Sequence, residues 1–447
     1  MKGYTIIISA VAAIGGLLFG FDTAVIAGAI PALRSFFDLS DSAIGLIVAA
    51  TSIGCIPGAL FSGTLADRFG RKNMMLTTAV FYLISAIGCG VAGTLAQLAL
   101  YRFIGGLAIG MASTLAPIYI SEVAPARFRG RLGMLQQLAI VTGILIAFIS
   151  NYMIANAGFT FVDDQNEWRY MLGAAVIPSL LFFILLLLVP ESPRWLILKN
   201  KLTHARKIFG KIYDNAGADN EVQIVLADIN KDTRKVKFAE IFAPRYKKVV
   251  IIGIVFASIA QLTGINIIFY YAPLIFEKTH VGGSVLFQTV LTGIVNLIFT
   301  ILAFALIDKI GRNKLLLGGS AVMGLCMMII GWLFYTNNLD NYLVLVTIFV
   351  YIAAFACTWG AVLWVYVAEI FPNKIRGNAT SFAIFGNWTA NAIVSFTFPV
   401  MLAGLGASAT FFTYGITNIA MIFFVLRYIF ETKGIALENV EELYIKV

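Results

Sequence analysis

The stretch Asp67-Arg-Phe-Gly-Arg-Lys72 returns in altered form 241 residues later, as Asp308-Lys-Ile-Gly-Arg-Asn-Lys314. A second stretch, Glu122-Val-Ala-Pro-Ala-Arg-Phe-Arg-Gly130, returns 247 residues later as Glu369-Ile-Phe-Pro-Asn-Lys-Ile-Arg-Gly377. Each copy follows a long apolar run. Two independent motifs that recur in the same order at nearly the same offset predict a chain built from two related halves in parallel orientation.

The chain around these repeats is apolar and poor in charge. Of its 447 residues 60% are hydrophobic and 12% are charged, and its mean hydropathy is +0.89, whereas soluble domains carry about 25% charged residues. A helix that crosses the apolar core of a bilayer needs roughly 20 apolar residues. We therefore predict an all-α membrane protein with twelve transmembrane helices in two parallel six-helix halves. The predicted spans are residues 5–32, 42–66, 74–94, 96–122, 131–155, 168–189, 247–276, 284–307, 314–336, 341–370, 378–402 and 408–430.

The charge of the chain lies in short clusters between these spans. The formal net charge of +9 comes from basic residues after the even-numbered spans, whereas loop 156–168 holds Asp163, Asp164 and Glu167 with no Lys or Arg. Cytoplasmic loops of membrane proteins carry the excess of Lys and Arg. We expect both termini in the cytoplasm, a multi-pass membrane protein in contact with the lipid bilayer, and no nucleic-acid partner.

The pattern divides the chain into an N-terminal half at 1–189, a cytoplasmic helical linker at 190–246, a C-terminal half at 247–430 and a tail at 431–447. The linker is expected to form helices at Leu202–Tyr213 and Asn220–Thr233. It has no phosphate-binding glycine loop, and the two histidines, His204 and His280, have no partner cluster. We expect no enzyme activity, no cofactor and no metal site.

The repeated stretches place charges of both signs at the predicted helix ends. Acidic residues add nothing to a signal for membrane orientation, so we expect ion pairs that hold the cytoplasmic face shut in one transport state; the alternative is that they only fix topology. The expected latch residues are Asp67, Arg71, Glu122, Arg129, Glu191, Arg194, Asp308, Arg312, Glu369 and Arg376.

The sequence resembles the sugar porter family of the major facilitator superfamily over nearly its whole length. Besides the repeated stretches, the resemblance rests on Gly15-Gly-Leu-Leu-Phe-Gly-Phe-Asp22, Tyr119-Ile-Ser-Glu-Val-Ala-Pro125, Pro190-Glu-Ser-Pro-Arg-Trp-Leu196 and Gln261-Leu-Thr-Gly-Ile-Asn266. The last two together are specific to sugar porters, and the likeness is greatest to bacterial D-xylose–proton symporters. The resemblance implies the major facilitator fold and a place in a bacterial inner membrane.

Amide side chains within the spans fit a sugar site. A sugar is a neutral ring edged with hydroxyls, which amides can both donate to and accept from, and polar groups within a span tend to mark a pathway. By resemblance, the sugar-binding residues are Gln137, Gln261, Asn266, Asn296, Trp364 and Asn387. Phe19, Tyr270, Tyr271 and Trp388 match the cavity wall and outer gate. For any single amide the alternative is a contact between helices. Gln261 and Asn266 flank Gly264, where a discontinuous helix is expected.

Five positions depart from the pattern of the family, and three of them lie in the site. Ala260 stands where many relatives have a second glutamine, Ile144 where the xylose symporters have one, and Asn387 where they have a longer glutamine. Ala361 and Phe430 each replace a proline of a family motif. The first three changes alter the site itself, so they leave the substrate class in place but leave its identity open.

A carboxylate deep in the first span is costly unless it is protonated or paired. Asp22 is that carboxylate, and Arg102 in the fourth span is its evident partner. By resemblance the two match the proton-coupling pair of the symporters. If transport alternates the distance between them, the proton affinity of Asp22 alternates as well. The alternative is a permanent salt bridge in a passive carrier.

We therefore expect a proton-coupled symporter of a hexose or pentose, xylose-like or glucose-like, that works by alternating access as a monomer. The alternatives are a passive sugar facilitator and a proton-coupled carrier of a polyol such as inositol. A sugar sensor is disfavoured because the tail after the last span is short.

Overall fold

The computed structural model describes residues 3–125, 128–156, 165–213, 215–231, 243–278, 284–339, 342–372 and 375–433. Eighteen α-helices and the short 3-10 helix Ala260–Thr263 account for most of these ranges. In chain order the α-helices are α1 Gly3–Phe37, α2 Asp41–Phe69, α3 Arg71–Val91, α4 Leu95–Val123, α5 Arg129–Asn156, α6 Glu167–Gly173, α7 Val176–Leu188, α8 Pro193–Leu198, α9 Leu202–Ile212, α10 Asn215–Lys231, α11 Pro244–Ile259, α12 Ile265–Glu277, α13 Val285–Ile310, α14 Arg312–Tyr335, α15 Leu343–Cys357, α16 Trp359–Ile370, α17 Arg376–Gly404 and α18 Gly406–Tyr428.

Twelve spans are formed from these helices, as predicted. Eleven segments within the described ranges are long and apolar enough to cross a membrane. The twelfth span is α17, whose 29 residues are long enough but include the buried polar residues Asn387, Asn391 and Ser395. Three spans consist of two helices each, namely α6 with α7, α11 with α12, and α15 with α16. The sequence predicted the second of these interruptions and not the other two.

The spans pack as two halves with the same internal pairing. In the first half α2 packs on α4 and α1 on α5, and at the corresponding places in the second half α13 packs on α15 and α11 on α17. Glycines allow the closest approaches, since a Cβ added at Gly106 would lie 1.9 Å from the carbonyl oxygen of Thr51 on α2. Between the halves α2 packs against α17, and α5 packs against α13.

The two copies of the repeated stretches lie at one end of the bundle. Helix α2 ends there at Phe69 and α17 begins there at Arg376. The two helices run antiparallel, because Gly45 of α2 packs on the carbonyl of Phe396 while Ser52 bonds to Asn391. We call this end the basic face and the other end the opposite face.

The helices between the halves, α8 to α10, pack on the first half. Trp195, Phe209 and Ile212 belong to the same buried cluster as Tyr119 of α4. Helix α9 agrees with the prediction, but α10 begins at Asn215, five residues before the predicted start, so that Ala218 and Val222 join the buried cluster. Thr233 lies outside the described residues.

Candidate functional site

Four amide side chains meet at the interruption between α11 and α12. The Nε2 of Gln261 donates to the Oδ1 of Asn387 at 2.7 Å. The Oε1 of Gln261 accepts from the Nδ2 of Asn266 at 2.5 Å and from the Nδ2 of Asn391 at 3.1 Å. The structure thus brings together three of the predicted sugar-binding residues, Gln261, Asn266 and Asn387, and adds Asn391 to them. The group carries no net charge and offers both donors and acceptors, as recognition of a neutral hydroxylated ligand requires.

The backbone at this interruption is held open by side chains from two other spans. Gly264 has a φ of +92°, a conformation that glycine adopts without strain. The carbonyl oxygen of Thr263 accepts from the hydroxyl of Tyr351 on α15 at 2.7 Å and from the Nδ2 of Asn418 on α18 at 3.0 Å. The hydroxyl of Thr417 donates to the carbonyl of Leu262 at 3.1 Å. Carbonyls freed from the helix therefore have partners, which fixes the position of Gln261.

Aromatic residues surround the amides. The rings of Phe19 and Trp388 lie 5.4 Å apart and join the two halves. Tyr270 and Tyr271 are buried, and the hydroxyl of Tyr271 donates to the carbonyl of Ser395 at 2.9 Å. Trp364 on α16 is partly buried and packs against both hydrophobic clusters of the molecule. The predicted aromatic positions thus lie along the contact between the halves.

The two remaining predicted sugar-binding residues stand apart from the bonded amides. Gln137 lies half-buried on α5, and Asn296 lies buried on α13. These helices pack together across the halves. In the described part of the chain, no hydrogen bond joins either side chain to the amides around Gln261.

The predicted coupling pair is buried inside the first half. Asp22 is 6% exposed and Arg102 is 1% exposed. The Nη1 of Arg102 donates to the backbone carbonyl of Asp22 at 3.0 Å and lies 3.7 Å from its carboxylate oxygen Oδ2. Within the described residues, Oδ2 has no hydrogen-bond partner. The absence of a side chain at Gly105 leaves space for this carboxylate oxygen, since a Cβ at residue 105 would lie 3.2 Å from Oδ2 of Asp22.

At the basic face of the first half, Arg71 joins three elements. Its guanidinium pairs with Glu122 at 3.1 Å and Asp67 at 2.9 Å, and donates to the carbonyl of Ala66. The carboxylate of Glu191 accepts from the backbone N–H groups of Arg71 and Lys72 at 2.9 and 3.1 Å. Glu191 therefore sits at the N-terminus of α3, where the helix dipole favours an anion.

The second half repeats this arrangement around Arg312. Its guanidinium pairs with Glu369 at 3.0 Å and donates to the carbonyl of Ile307. The backbone N–H groups of Arg312 and Asn313 donate to Glu431 at 3.0 and 3.1 Å. Glu431 thus does at α14 what Glu191 does at α3. The sequence prediction did not include Glu431. The neighbouring residue Thr432 also belongs to this arrangement, because its hydroxyl donates to the carboxylate of Glu369 at 2.6 Å.

These ion pairs lie within the halves, not between them. Arg194 is exposed and, among the described residues, forms no salt bridge. The Nε of Arg376 donates to the carbonyl of Phe371. The side chains of Arg129 and Asp308 lie outside what the structure describes. The role of these residues as a latch therefore stays a prediction.

Burial affects the two capping carboxylates differently. Burial raises the pKa of Glu191, and the backbone N–H groups of Ser192, Lys72 and Arg71 only partly oppose it. Burial of Glu431 acts in the same direction, but the N–H groups of Arg312, Lys433 and Asn313 outweigh it and lower the pKa of Glu431. The two copies thus share a geometry and differ in their response to acid.

Known proteins match this chain along its whole length. The family described as "Sugar (and other) transporter" matches residues 8–444. The chain is 38% identical to the arabinose-proton symporter of Bacillus subtilis, covering 99% of this chain and 96% of that protein. It is 37% identical to the D-xylose-proton symporter of Escherichia coli, with the same coverage. A solved structure of the E. coli xylose transporter in a partially occluded inward-open conformation matches with a TM-score of 0.88 at 36% identity, covering 97% of this chain and 100% of that one. The chain belongs to the sugar (and other) transporter family, with the twelve-helix major facilitator fold.

Proposed function

We propose that this chain is a proton-coupled symporter that carries a pentose or hexose across a bacterial inner membrane by alternating access. The observation that carries the proposal is the uncharged amide group of Gln261, Asn266, Asn387 and Asn391 at a helix interruption. Such a group suits a neutral polyhydroxylated substrate. The named relatives that carry arabinose or xylose with a proton support it.

Gln137, Asn296 and Trp364 complete the sugar site in this proposal. They approach from α5, α13 and α16, so that a ring bound beside Gln261 contacts both halves. Trp364 offers an aromatic face to the C–H surface of the ring, and the two amides bond to hydroxyls. Phe19 and Trp388 form the wall, and Tyr270 and Tyr271 close the site on the opposite face.

Asp22 is the proton carrier in this proposal. Its carboxylate takes up a proton on the side from which sugar enters and loses it on the other side. Arg102 stabilises the charged form and is released from that task when the proton binds. Two observations support this role: Oδ2 of Asp22 has no hydrogen-bond partner among the described residues, and it lies as far as 3.7 Å from the guanidinium of Arg102.

We infer that the basic face is cytoplasmic, because Lys and Arg concentrate there, and that both termini lie on that side. The opposite face is then the outer face. The likeness to an inward-open structure and the contact of α2 with α17 at the outer end fit a state that is shut to the outside. One copy of the chain contains the whole site, so we expect a functional monomer in the bilayer.

A competition panel tests the substrate class. Uptake of labelled xylose by proteoliposomes is measured against unlabelled xylose, glucose, galactose, arabinose, fructose and inositol. We expect at least one pentose or hexose to compete strongly. Competition by inositol alone would indicate that the substrate is a polyol and not a sugar. An uptake rate that does not change when a proton gradient is imposed would indicate a passive facilitator.

A further inference from the structure

A hydrogen bond joins the amides around Gln261 to the first half of the molecule. Ser52 on α2 donates from its hydroxyl to the Oδ1 of Asn391 on α17 at 2.5 Å. Ser52 is 3% exposed and Asn391 is 2% exposed. Ser52 is the nearer of two donors to this buried oxygen, since Ser395 on α17 also donates to it at 3.3 Å, and a hydrogen bond to a buried polar group stabilises the contact that contains it.

The amide nitrogen of Asn391 bonds to Gln261, a proposed sugar-binding residue. Its Nδ2 donates to the Oε1 of Gln261 at 3.1 Å, and Asn266 donates to the same oxygen at 2.5 Å. A carbonyl oxygen has two lone pairs, so both acceptor sites of Gln261 are filled. A sugar hydroxyl that donates to Gln261 must displace one of these bonds, and the longer bond from Asn391 is the weaker.

The bond lies where the outer face closes. Ser52 is 11 residues from the start of α2, or roughly 16 Å along the helix. Between Ser52 and the outer end, Gly45 packs on the carbonyl of Phe396. Further out lies a cavity of about 290 Å³ between the halves, lined in part by Ile44, Tyr271 and Leu402. Opening the outer face requires α2 to leave α17, which breaks the bond from Ser52.

We propose that Ser52 is a positioning residue that couples occupancy of the sugar site to closure of the outer face. It acts through Asn391, which it holds across the boundary between the halves and which in turn bonds to Gln261. The inference rests on the proposed alternating access. Because such coupling is reciprocal, sugar at Gln261 changes the strength of the outer contact, and the outer contact changes the affinity for sugar.

The test measures how open the outer face is. A cysteine is placed in the outer cavity by Leu402→Cys, after Cys55, Cys89, Cys326 and Cys357 have been replaced by serine or alanine. The rate of alkylation by a membrane-impermeant maleimide is then measured in proteoliposomes, with and without xylose. Loss of one buried hydrogen bond shifts a two-state equilibrium by about 2- to 10-fold. We expect Ser52→Ala to raise the alkylation rate by that factor and to shrink the change that xylose causes.

Two comparisons isolate the hydroxyl of Ser52. Ser52→Thr and Ser52→Val have nearly the same shape, and only the threonine can bond to Asn391, so we expect the threonine alone to restore the wild-type rate and xylose effect. Ser395 donates to the same oxygen at 3.3 Å but from the same helix as Asn391, so Ser395→Ala should change the rate by less than about 2-fold.

Equal rates for the threonine and valine variants, or an equal effect of Ser395→Ala, would overturn the proposal. The result is separable from the proposed function. A wild-type reporter whose alkylation ignores every sugar of the panel would count against sugar transport, whereas a wild-type reporter that responds, with a valine variant that responds equally, would count against Ser52 alone.

Discussion

The guanidinium of Arg102 lies closer to the backbone of Asp22 than to its side chain. Its Nη1 is 3.0 Å from the carbonyl oxygen and 3.7 Å from the carboxylate oxygen Oδ2. The arginine is therefore anchored by a group that cannot titrate, and the carboxylate can gain or lose a proton without releasing it. A firm bidentate ion pair would instead hold the carboxylate charged.

Asp22→Asn should uncouple transport from the proton gradient. The amide keeps the volume of the carboxylate and cannot exchange a proton in this pH range. We expect accumulation of labelled xylose to fall to the external concentration, while exchange of internal for external xylose continues. The measurement compares uptake driven by a pH gradient with counterflow in the same proteoliposomes. Undiminished accumulation in this variant would show that another group carries the proton.

Gly45→Ala should favour the outward-open state. A Cβ at residue 45 would lie 2.5 Å from the carbonyl oxygen of Phe396, and no side-chain rotation can relieve a contact with backbone. We expect spin labels on the outer ends of α2 and α17 to report a larger population of long distances. Gly63→Ala is the matched control, because it lies in the same helix and a Cβ there meets nothing within 4 Å. Similar distance distributions for the two variants would contradict this explanation.

Tyr351→Phe should weaken sugar binding indirectly, because we expect Tyr351 to position Gln261 and not to contact the sugar itself. The change removes the 2.7 Å bond to the carbonyl of Thr263 and so loosens the turn that positions Gln261. A net loss of about 0.5–1.5 kcal/mol, or roughly 2- to 10-fold in affinity, is expected, measured by quenching of tryptophan fluorescence on titration with xylose. Tyr366→Phe removes a hydroxyl that bonds to the carbonyl of Phe430 near the basic face. That variant should bind xylose as the wild type does, and an equal loss in both would mean that general destabilisation is the cause.

The two capping carboxylates should respond oppositely to acid. The pKa of Glu431 is lowered in the folded protein, so its stabilising contribution is present above the ordinary glutamate pKa of about 4.3 and is lost as the pH falls through the lowered value. The pKa of Glu191 is raised, so its contribution favours folding at low pH and is lost as the pH rises through the raised value.

Thermal unfolding of Glu431→Gln and Glu191→Gln in detergent checks these signs. At pH 7 we expect Glu431→Gln to lower the unfolding temperature more than Glu191→Gln does. The deficit of Glu431→Gln should shrink only as the pH falls below about 4.3, because the wild type loses the same contribution there. A deficit for Glu431→Gln that grows in acid would contradict the lowered pKa.

Much of the fold could be predicted because membrane-spanning helices are recognisable in a sequence by their length and apolar content. The interruption at Gly264 was also predictable, since a glycine between two amides within a span is a local signal. The interruption at Thr358, between α15 and α16, has no glycine or proline at the turn itself, and the sequence pattern missed it.

The site was only partly predictable, because some contacts leave no mark in the sequence. Glu191 follows Pro190, whereas Glu431 follows Phe430. Because Phe430 replaces the proline, the sequence did not show that the two glutamates cap helices in the same way. The structure preserves the contact because it uses a backbone carbonyl: Tyr366 donates to that of Phe430 as Tyr119 donates to that of Pro190. Ser52 gives no signal either, because a lone serine in an apolar helix is ordinary and its partner Asn391 lies 339 residues away.

The central claim is that sugar and proton cross the membrane together. It is tested most directly in proteoliposomes that contain a pH-sensitive dye, with no pH gradient and with the membrane potential clamped at zero. A labelled sugar that competes in the panel is added outside. Its entry should acidify the interior in step, and Asp22→Asn should abolish the acidification. Sugar entry with no change of internal pH in the wild type would contradict proton-coupled transport.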